Sequence, residues 1–115
     1  MFYQNMPLYL KLVNLLKAEY VIHHHLPKEY KYSLCQDIIN ITWELLDLFI
    51  AAQTSTTCGA DKPQIVDKIN YRFDSLKLRI RFLTELKLVS LGQAAMLSDS
   101  IVEIGKMIGS WRKNV

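Results

Sequence analysis

Three imidazoles, two thiols, a scatter of carboxylates and a cluster of cations are the residues of this chain that could do chemistry. His23, His24 and His25 are consecutive, and side chains on a helix project about 100° apart, so the three cannot share one tetrahedral metal. They read instead as a polar helix end before Pro27, where a positive charge suits the helix dipole. Glu44, Asp47, Asp99 and Glu103 are spaced as in helical-bundle metal proteins, but those sites need inward Glu-x-x-His pairs, and no Glu-x-x-His occurs. Asp99 and Glu103 fall opposite the apolar seam of their segment, which makes them a solvated face. Cys35 sits on an apolar helix flank as small core filler, and Cys58 reads as loop; neither belongs to a C-x-x-C pair. A reduced, cytoplasmic setting follows from that cysteine usage. There is no G-x-S-x-G, no phosphate-cradling glycine loop and no dinucleotide fingerprint. No catalytic residue, metal ligand or cofactor is expected, and the chain reads as a non-enzyme.

The cations carry more information. From Lys68 to Lys87 the chain holds six of them against Asp74 and Glu85, a local balance of +4 in a protein whose formal charge is +3. All four arginines, Arg72, Arg79, Arg81 and Arg112, lie in the last 44 residues. Arginine's planar fork clamps phosphate bidentately, so Lys68, Arg72, Lys77, Arg79, Arg81 and Arg112 are the candidate nucleic-acid contacts. The competing reading is a solvated helix face laced with i,i+4 pairs such as Arg81 with Glu85.

The elements that position these residues are helices. Half the residues are apolar and 22% are charged, a composition that excludes disorder. No apolar run approaches the ~20 residues of a membrane span, and no basic stretch precedes an apolar one at the N-terminus, so neither an anchor nor a signal peptide is expected. Four amphipathic segments, at about 7–24, 33–53, 63–87 and 90–111, predict an all-α domain over residues 1–115, an antiparallel up-down-up-down four-helix bundle. Pro7 suits a first helical turn. Ser33 with Gln36 and Ser90 with Gln93 read as capping boxes. Thr54 to Lys62 reads as the longest loop. In the fourth segment, small Ser98 and Gly105 leave room for a neighbouring helix.

The segment from Gln64 to Leu86 is apolar on two sides. Ile65, Ile69, Phe73, Leu76, Ile80 and Leu83 form one stripe. Tyr71, Leu78 and Phe82 fall about 160° or more from its centre. Lys68, Arg72 and Arg79 line one border between the stripes, and Lys77 and Arg81 the other. One stripe can face the protein's own core. The other needs a partner, most simply another subunit, and Tyr71, Leu78 and Phe82, with Trp43 from the broad apolar arc of the second helix, are the predicted oligomer interface.

Pro27-Lys28, Lys31-Tyr32-Ser33-Leu34, Leu45-Leu46-Asp47-Leu48-Phe49-Ile50-Ala51-Ala52, Leu83-Thr84-Glu85-Leu86-Lys87-Leu88-Val89-Ser90 and Glu103-Ile104-Gly105-Lys106-Met107-Ile108-Gly109-Ser110-Trp111 together resemble one family. It is that of the accessory proteins of diversity-generating retroelements, the accessory variability determinants, within a wider four-helix group that includes proteins encoded in ribosomal RNA intervening sequences. The ending is the most specific part, with Lys106 and Ser110 here where the family commonly has Arg and Gly. The intervening-sequence branch usually carries Asn-Ile-Ala-Glu-Gly after its second helix, and this chain has Phe49-Ile50-Ala51-Ala52-Gln53. The resemblance implies a homopentameric barrel with a positive surface, partnered with the retroelement's reverse transcriptase and with DNA or RNA during mutagenic copying. Two alternatives are an intervening-sequence protein and a purely structural interaction module.

Overall fold

Pro7 lacks the N–H that a first helical turn leaves unpaired, and it opens helix α1, Pro7–His25. The computed structural model describes residues 6–54 and 61–114. Leu8, Leu12, Leu15, Leu16 and Ile22 bury the inner stripe of α1. Leu26 turns extended, and Pro27 then starts the next element: the N–H groups of Tyr30 and Lys31 donate to its carbonyl at 3.0 and 2.9 Å.

That start corrects the expected helix beginning at Ser33. A helical turn at Lys28–Tyr30 widens into a π-helical segment, Lys31–Cys35, and runs on as α2, Gln36–Thr54. The Ser33 capping box does not form. Ser33 Oγ donates to the Glu29 carbonyl, and Gln36 donates to Asn40 Oδ1. Pro27, with its fixed φ, nucleates the turn earlier, so Ser33 lies inside the helix, where a hydroxyl bonds the carbonyl one turn back. Helix α3 is Asp61–Glu85, with Pro63 in its first turn, where a proline is tolerated. Cys58 and residues 55–60 of the expected loop lie outside the described residues.

α3 ends in a Schellman motif. The Leu88 N–H reaches the Leu83 carbonyl at 3.4 Å, and the Lys87 N–H reaches that of Thr84 at 3.0 Å. Lys87 takes the left-handed position, φ 59°, where glycine is usual. Ser90 then forms the expected capping box: its Oγ accepts from the Gln93 N–H at 3.0 Å, and Gln93 Oε1 accepts from the Ser90 N–H at 2.9 Å. Helix α4 follows, Leu91–Lys113.

Among the described residues the chain is all-helical. Each helix packs on its neighbours in sequence, and α4 closes against α1, in a rod of 46 × 23 × 23 Å. Lys11 pairs with Glu103 and Arg112 with Asp67, contacts that run α4 antiparallel to both α1 and α3. Tyr9, Phe49 and Trp111 stack at one end of the rod, with Phe49 and Trp111 ring centres 5.5 Å apart. The core runs the length of the bundle through Leu12, Leu45, Phe49, Leu76, Leu83, Leu97 and Ile104. Gly105 faces the Phe73 ring, 3.4 Å from where a Cβ would stand, which is the close approach that the small residue allows. Ser98, by contrast, is exposed.

Two polar side chains are buried among these apolar ones, Glu19 and Thr42. Thr42 Oγ1 lies 2.8 Å from Glu19 Oε2 and 3.1 Å from the Ile38 carbonyl oxygen. Glu19 occupies the inner stripe of α1, three residues after Leu16 and three before Ile22.

Lys87→Gly is expected to raise stability by about 0.5–1 kcal/mol, since glycine carries no Cβ penalty in the left-handed region. The thermal midpoint should rise by a few degrees, roughly the scale for a domain of this size. An unchanged or lower midpoint would mean that the lysine side chain contributes a compensating contact.

Candidate functional site

Helix α3 is a strip of charge between two apolar stripes. Its inward stripe is Val66, Ile69, Phe73, Leu76, Ile80 and Leu83, all buried, with Ile65 partly so. Opposite, on the single protomer, Tyr71 is 66%, Leu78 63% and Phe82 53% exposed. Leu86, also exposed, continues this outer stripe one turn beyond Phe82 and was not foreseen. Its spacing of four from Phe82 was the available signal.

The six candidate cations divide into two sets. Arg72, Lys77 and Arg112 are held within the chain. Arg72 Nε donates to Glu44 Oε2 at 2.8 Å, a half-buried strut from α3 to α2. Arg112 Nε donates to Asp67 Oδ1 at 2.9 Å. Lys77 pairs with Asp74 at 3.0 Å and stands 5.4 Å from the centre of the Phe73 ring. Lys68, Arg79 and Arg81 form no ion pair among the described residues; Arg79 donates only to the Ser75 carbonyl, at 3.1 Å. The expected Arg81–Glu85 pair is not formed.

The borders also separate in space. Arg72 turns the Lys68–Arg79 border toward α2. Lys77 and Arg81 flank a groove of ≈ 470 Å³ between α3 and α4, floored by Ile80, Ala94, Ala95 and Ser98. A groove with small residues on its floor and two cations on its edge can take an anionic strand or a narrow apolar segment.

Trp43, 46% exposed, does not adjoin the outer stripe. It lies across the Arg72–Glu44 pair, over α1, where its indole N–H donates to the Tyr20 hydroxyl at 3.0 Å. Trp43 and Tyr20 border a groove of ≈ 350 Å³ between α1 and α2 that also involves Val13, Asp47 and Ile50. Helix α2 carries Asp37, Glu44 and Asp47 and no lysine or arginine, but α1 brings Lys17 to the same groove, so this second apolar face has one charge of each sign at its edge, Asp47 and Lys17. The apolar surface of the bundle thus includes a basic-edged stripe on α3 and a face of mixed charge between α1 and α2.

Around the histidines nothing converges. His23 meets the Tyr32 ring edge-on at 5.9 Å, while His24 and His25 are exposed. Among the described residues no three His, Cys, Asp or Glu side chains come together to hold a metal ion. Glu44 and Glu103 instead make ion pairs between helices. Cys35 is a buried free thiol, pushed up to about 11 by burial and then by the neighbouring Glu19. No helix among the described residues is long and apolar enough to cross a membrane.

Among the described residues the molecule is thus a slender all-helical rod with apolar and basic surface on α3 and a second apolar face between α1 and α2. A model of the bAvd-like family matches residues 8–115, and the chain belongs to that family. bAvd is the bacterial accessory variability determinant of diversity-generating retroelements, an accessory protein and not a known class of enzyme. A search of curated proteins finds no match.

The Arg72–Glu44 strut yields a test. A double-mutant cycle of Arg72→Ala with Glu44→Ala should give a coupling of about 0.5–1 kcal/mol, the scale of a partly exposed ion pair. Lys68→Ala and Arg81→Ala should leave the unfolding midpoint unchanged. Zero coupling would release Arg72 for external contacts.

Proposed function

We propose that this chain is a non-enzymatic accessory subunit of a diversity-generating retroelement, a ring-forming protein that binds DNA or RNA together with the element's reverse transcriptase. The observation that carries this reading is the outer stripe of α3, Tyr71, Leu78 and Phe82, exposed on the protomer and bordered by unpaired cations. Exposed apolar area of this kind marks a contact surface. The apolar face of Tyr20 and Trp43, edged by Asp47 and Lys17, is unlike it in shape and charge and lies elsewhere on the rod. Contact between two unlike patches is heterologous, and heterologous contacts close into rings when the rotation permits. The family supports a homopentamer. In such a ring Lys68, Arg79 and Arg81 recur around the axis and their fields add, which favours a polyanion such as nucleic acid. Arg72, Lys77 and Arg112, already paired, take the smaller share.

The pairing of those three cations also favours a second reading, a purely structural module that holds protein partners alone. Salt separates the two. Nucleic-acid binding should weaken steeply between low and physiological salt, because phosphate contacts release counterions. Lys68→Glu with Arg79→Glu and Arg81→Glu should lower affinity for labelled DNA and RNA at least tenfold. Full affinity in this triple variant would remove these cations from the site, and salt-resistant partner capture without nucleic-acid binding would support the second reading. The pair Leu78→Lys and Phe82→Lys should give smaller particles by light scattering with helicity retained. A monomeric wild type would overturn the ring.

A further inference from the structure

The family and the proposed contacts leave Glu19 without a role, although burying a carboxyl is among the costlier choices a core can make. Its Oε2 has one neighbour, Thr42 Oγ1 at 2.8 Å, and its Oε1, buried, has no hydrogen-bond partner among the described residues. Thr42 Oγ1 is also 3.1 Å from the Ile38 carbonyl. A hydroxyl carries one proton, and a carbonyl only accepts. If Thr42 donates to Ile38, in the back-bond usual for a helical threonine, the hydrogen between Thr42 and Glu19 must belong to Glu19.

We infer that Glu19 is a proton-binding site, a neutral carboxylic acid that donates to Thr42 and thereby latches α1 to α2 directly beneath the Tyr20–Trp43 surface.

The surroundings suit a neutral acid and not an anion. An ionised carboxylate has roughly four acceptor sites to fill, and here one hydroxyl is in reach. The titratable group beside it is Cys35, whose thiol Sγ is 3.9 Å from the Glu19 backbone carbonyl oxygen; His23 stands four residues on in α1, its buried Nε2 likewise without a partner among the described residues. From α2 comes only the neutral Thr42. Antiparallel to α1 from the Lys11–Glu103 pair, α4 brings Ala95, Met96 and Leu97 to this level, none of which titrates. Burial pushes the carboxyl up to about 8 from its usual 4.5; a proton donated by Thr42 would pull it down, whereas a Glu19 proton donated to Thr42 leaves burial unopposed.

Two consecutive residue pairs span the same two helices: Glu19–Thr42 inside and Tyr20–Trp43 outside, the latter joined at 3.0 Å. When Glu19 loses its proton, the charge must be hydrated, and the inner contact opens. The outer pair, carried on the same two turns, is displaced with it. The proton thus biases the Tyr20–Trp43 face that the assembly described above uses; the latch itself does not rest on that assembly.

The sign follows from linkage. The unfolded chain releases this proton near the ordinary value and the folded chain holds it, so the contribution to stability is full below about pH 4.5 and lost as pH rises through about 8. The experiment is a titration of the full chain with 13C-carboxyl-labelled glutamate, assigned with Glu19→Gln. The Glu19 resonance should titrate near 8, and the wild-type thermal midpoint should fall between pH 5 and 9 relative to that of Glu19→Gln. In a Trp111→Phe background, Trp43 emission should change with the same midpoint. A Glu19 resonance that titrates in the ordinary carboxylate range, or stability profiles that coincide for wild type and Glu19→Gln, would overturn the latch. Titration near 8 with constant Trp43 emission would overturn its link to the surface. Because these readouts need no nucleic acid and hold for a monomer, their failure is distinct from failure of the accessory-subunit reading.

Discussion

A helix turns by about 100° per residue, so residues half a turn apart cannot both face one core. That constraint organises this molecule. α3 commits Ile69, Phe73, Leu76, Ile80 and Leu83 to the bundle, which leaves Tyr71, Leu78 and Phe82 on the outside whatever the packing of the other three helices. Rotating α3 to bury the outer stripe would bring Lys68, Arg72 or Arg79 through the core on the way and expose Phe73. No rotation of a single helix satisfies both stripes. Only a further surface can cover the second.

Electrostatics then distinguish the two borders of that stripe. On the side toward α2 the Glu44 carboxylate meets Arg72 and neutralises the cation nearest the bundle, leaving Lys68 and Arg79 for other partners. On the side toward α4, Lys77 is drawn to Asp74, and Arg81 alone remains unpaired at the edge of a groove with an alanine floor. Of the acidic residues of α2, Glu44 meets Arg72, while Asp47 shares the edge of the Tyr20–Trp43 groove with Lys17 of α1. The molecule is therefore polar around its girth, positive along α3 and negative along α2, although its net charge is small. A surface divided in this way favours contacts between unlike sides, and it gives the bAvd-like family membership a physical content on this chain.

The α1–α2 contact follows a different logic. At the other helix interfaces the buried contacts are apolar and the ion pairs Arg72–Glu44, Lys11–Glu103 and Arg112–Asp67 are partly or fully exposed. Between α1 and α2 a buried carboxyl and a buried hydroxyl meet, and directional bonds of that kind fix one register. The π-helical segment Lys31–Cys35 lies beside this contact and brings Cys35 against the Glu19 carbonyl. A wider turn at that point shifts the phase of α2 relative to the chain that precedes it, so Thr42 and Trp43 come to face α1 while Glu44 faces α3.

Much of this was legible in the residues themselves. Heptad and 3–4 spacing located the helices, because burying one face of a helix imposes its period on the sequence. The double stripe of α3 and the Ser90 box could be read directly, and the family could be recognised from the Glu103–Trp111 ending. Glu19 was not singled out: it falls at an apolar position of the α1 stripe, but one charge in a stripe says nothing until the residue opposite it is known. Other features were decided only when the helices came together. Ser33 could not be told from a cap, because whether a serine caps or back-bonds depends on where the turn before it begins, and Pro27 had already begun it. Which cations stay unpaired depended on carboxylates 28 and 45 residues away in sequence, Glu44 for Arg72 and Asp67 for Arg112. A helical wheel specifies the direction of a side chain about its own axis. The partner across the interface is set by the register and crossing of a second helix, and no local pattern encodes that.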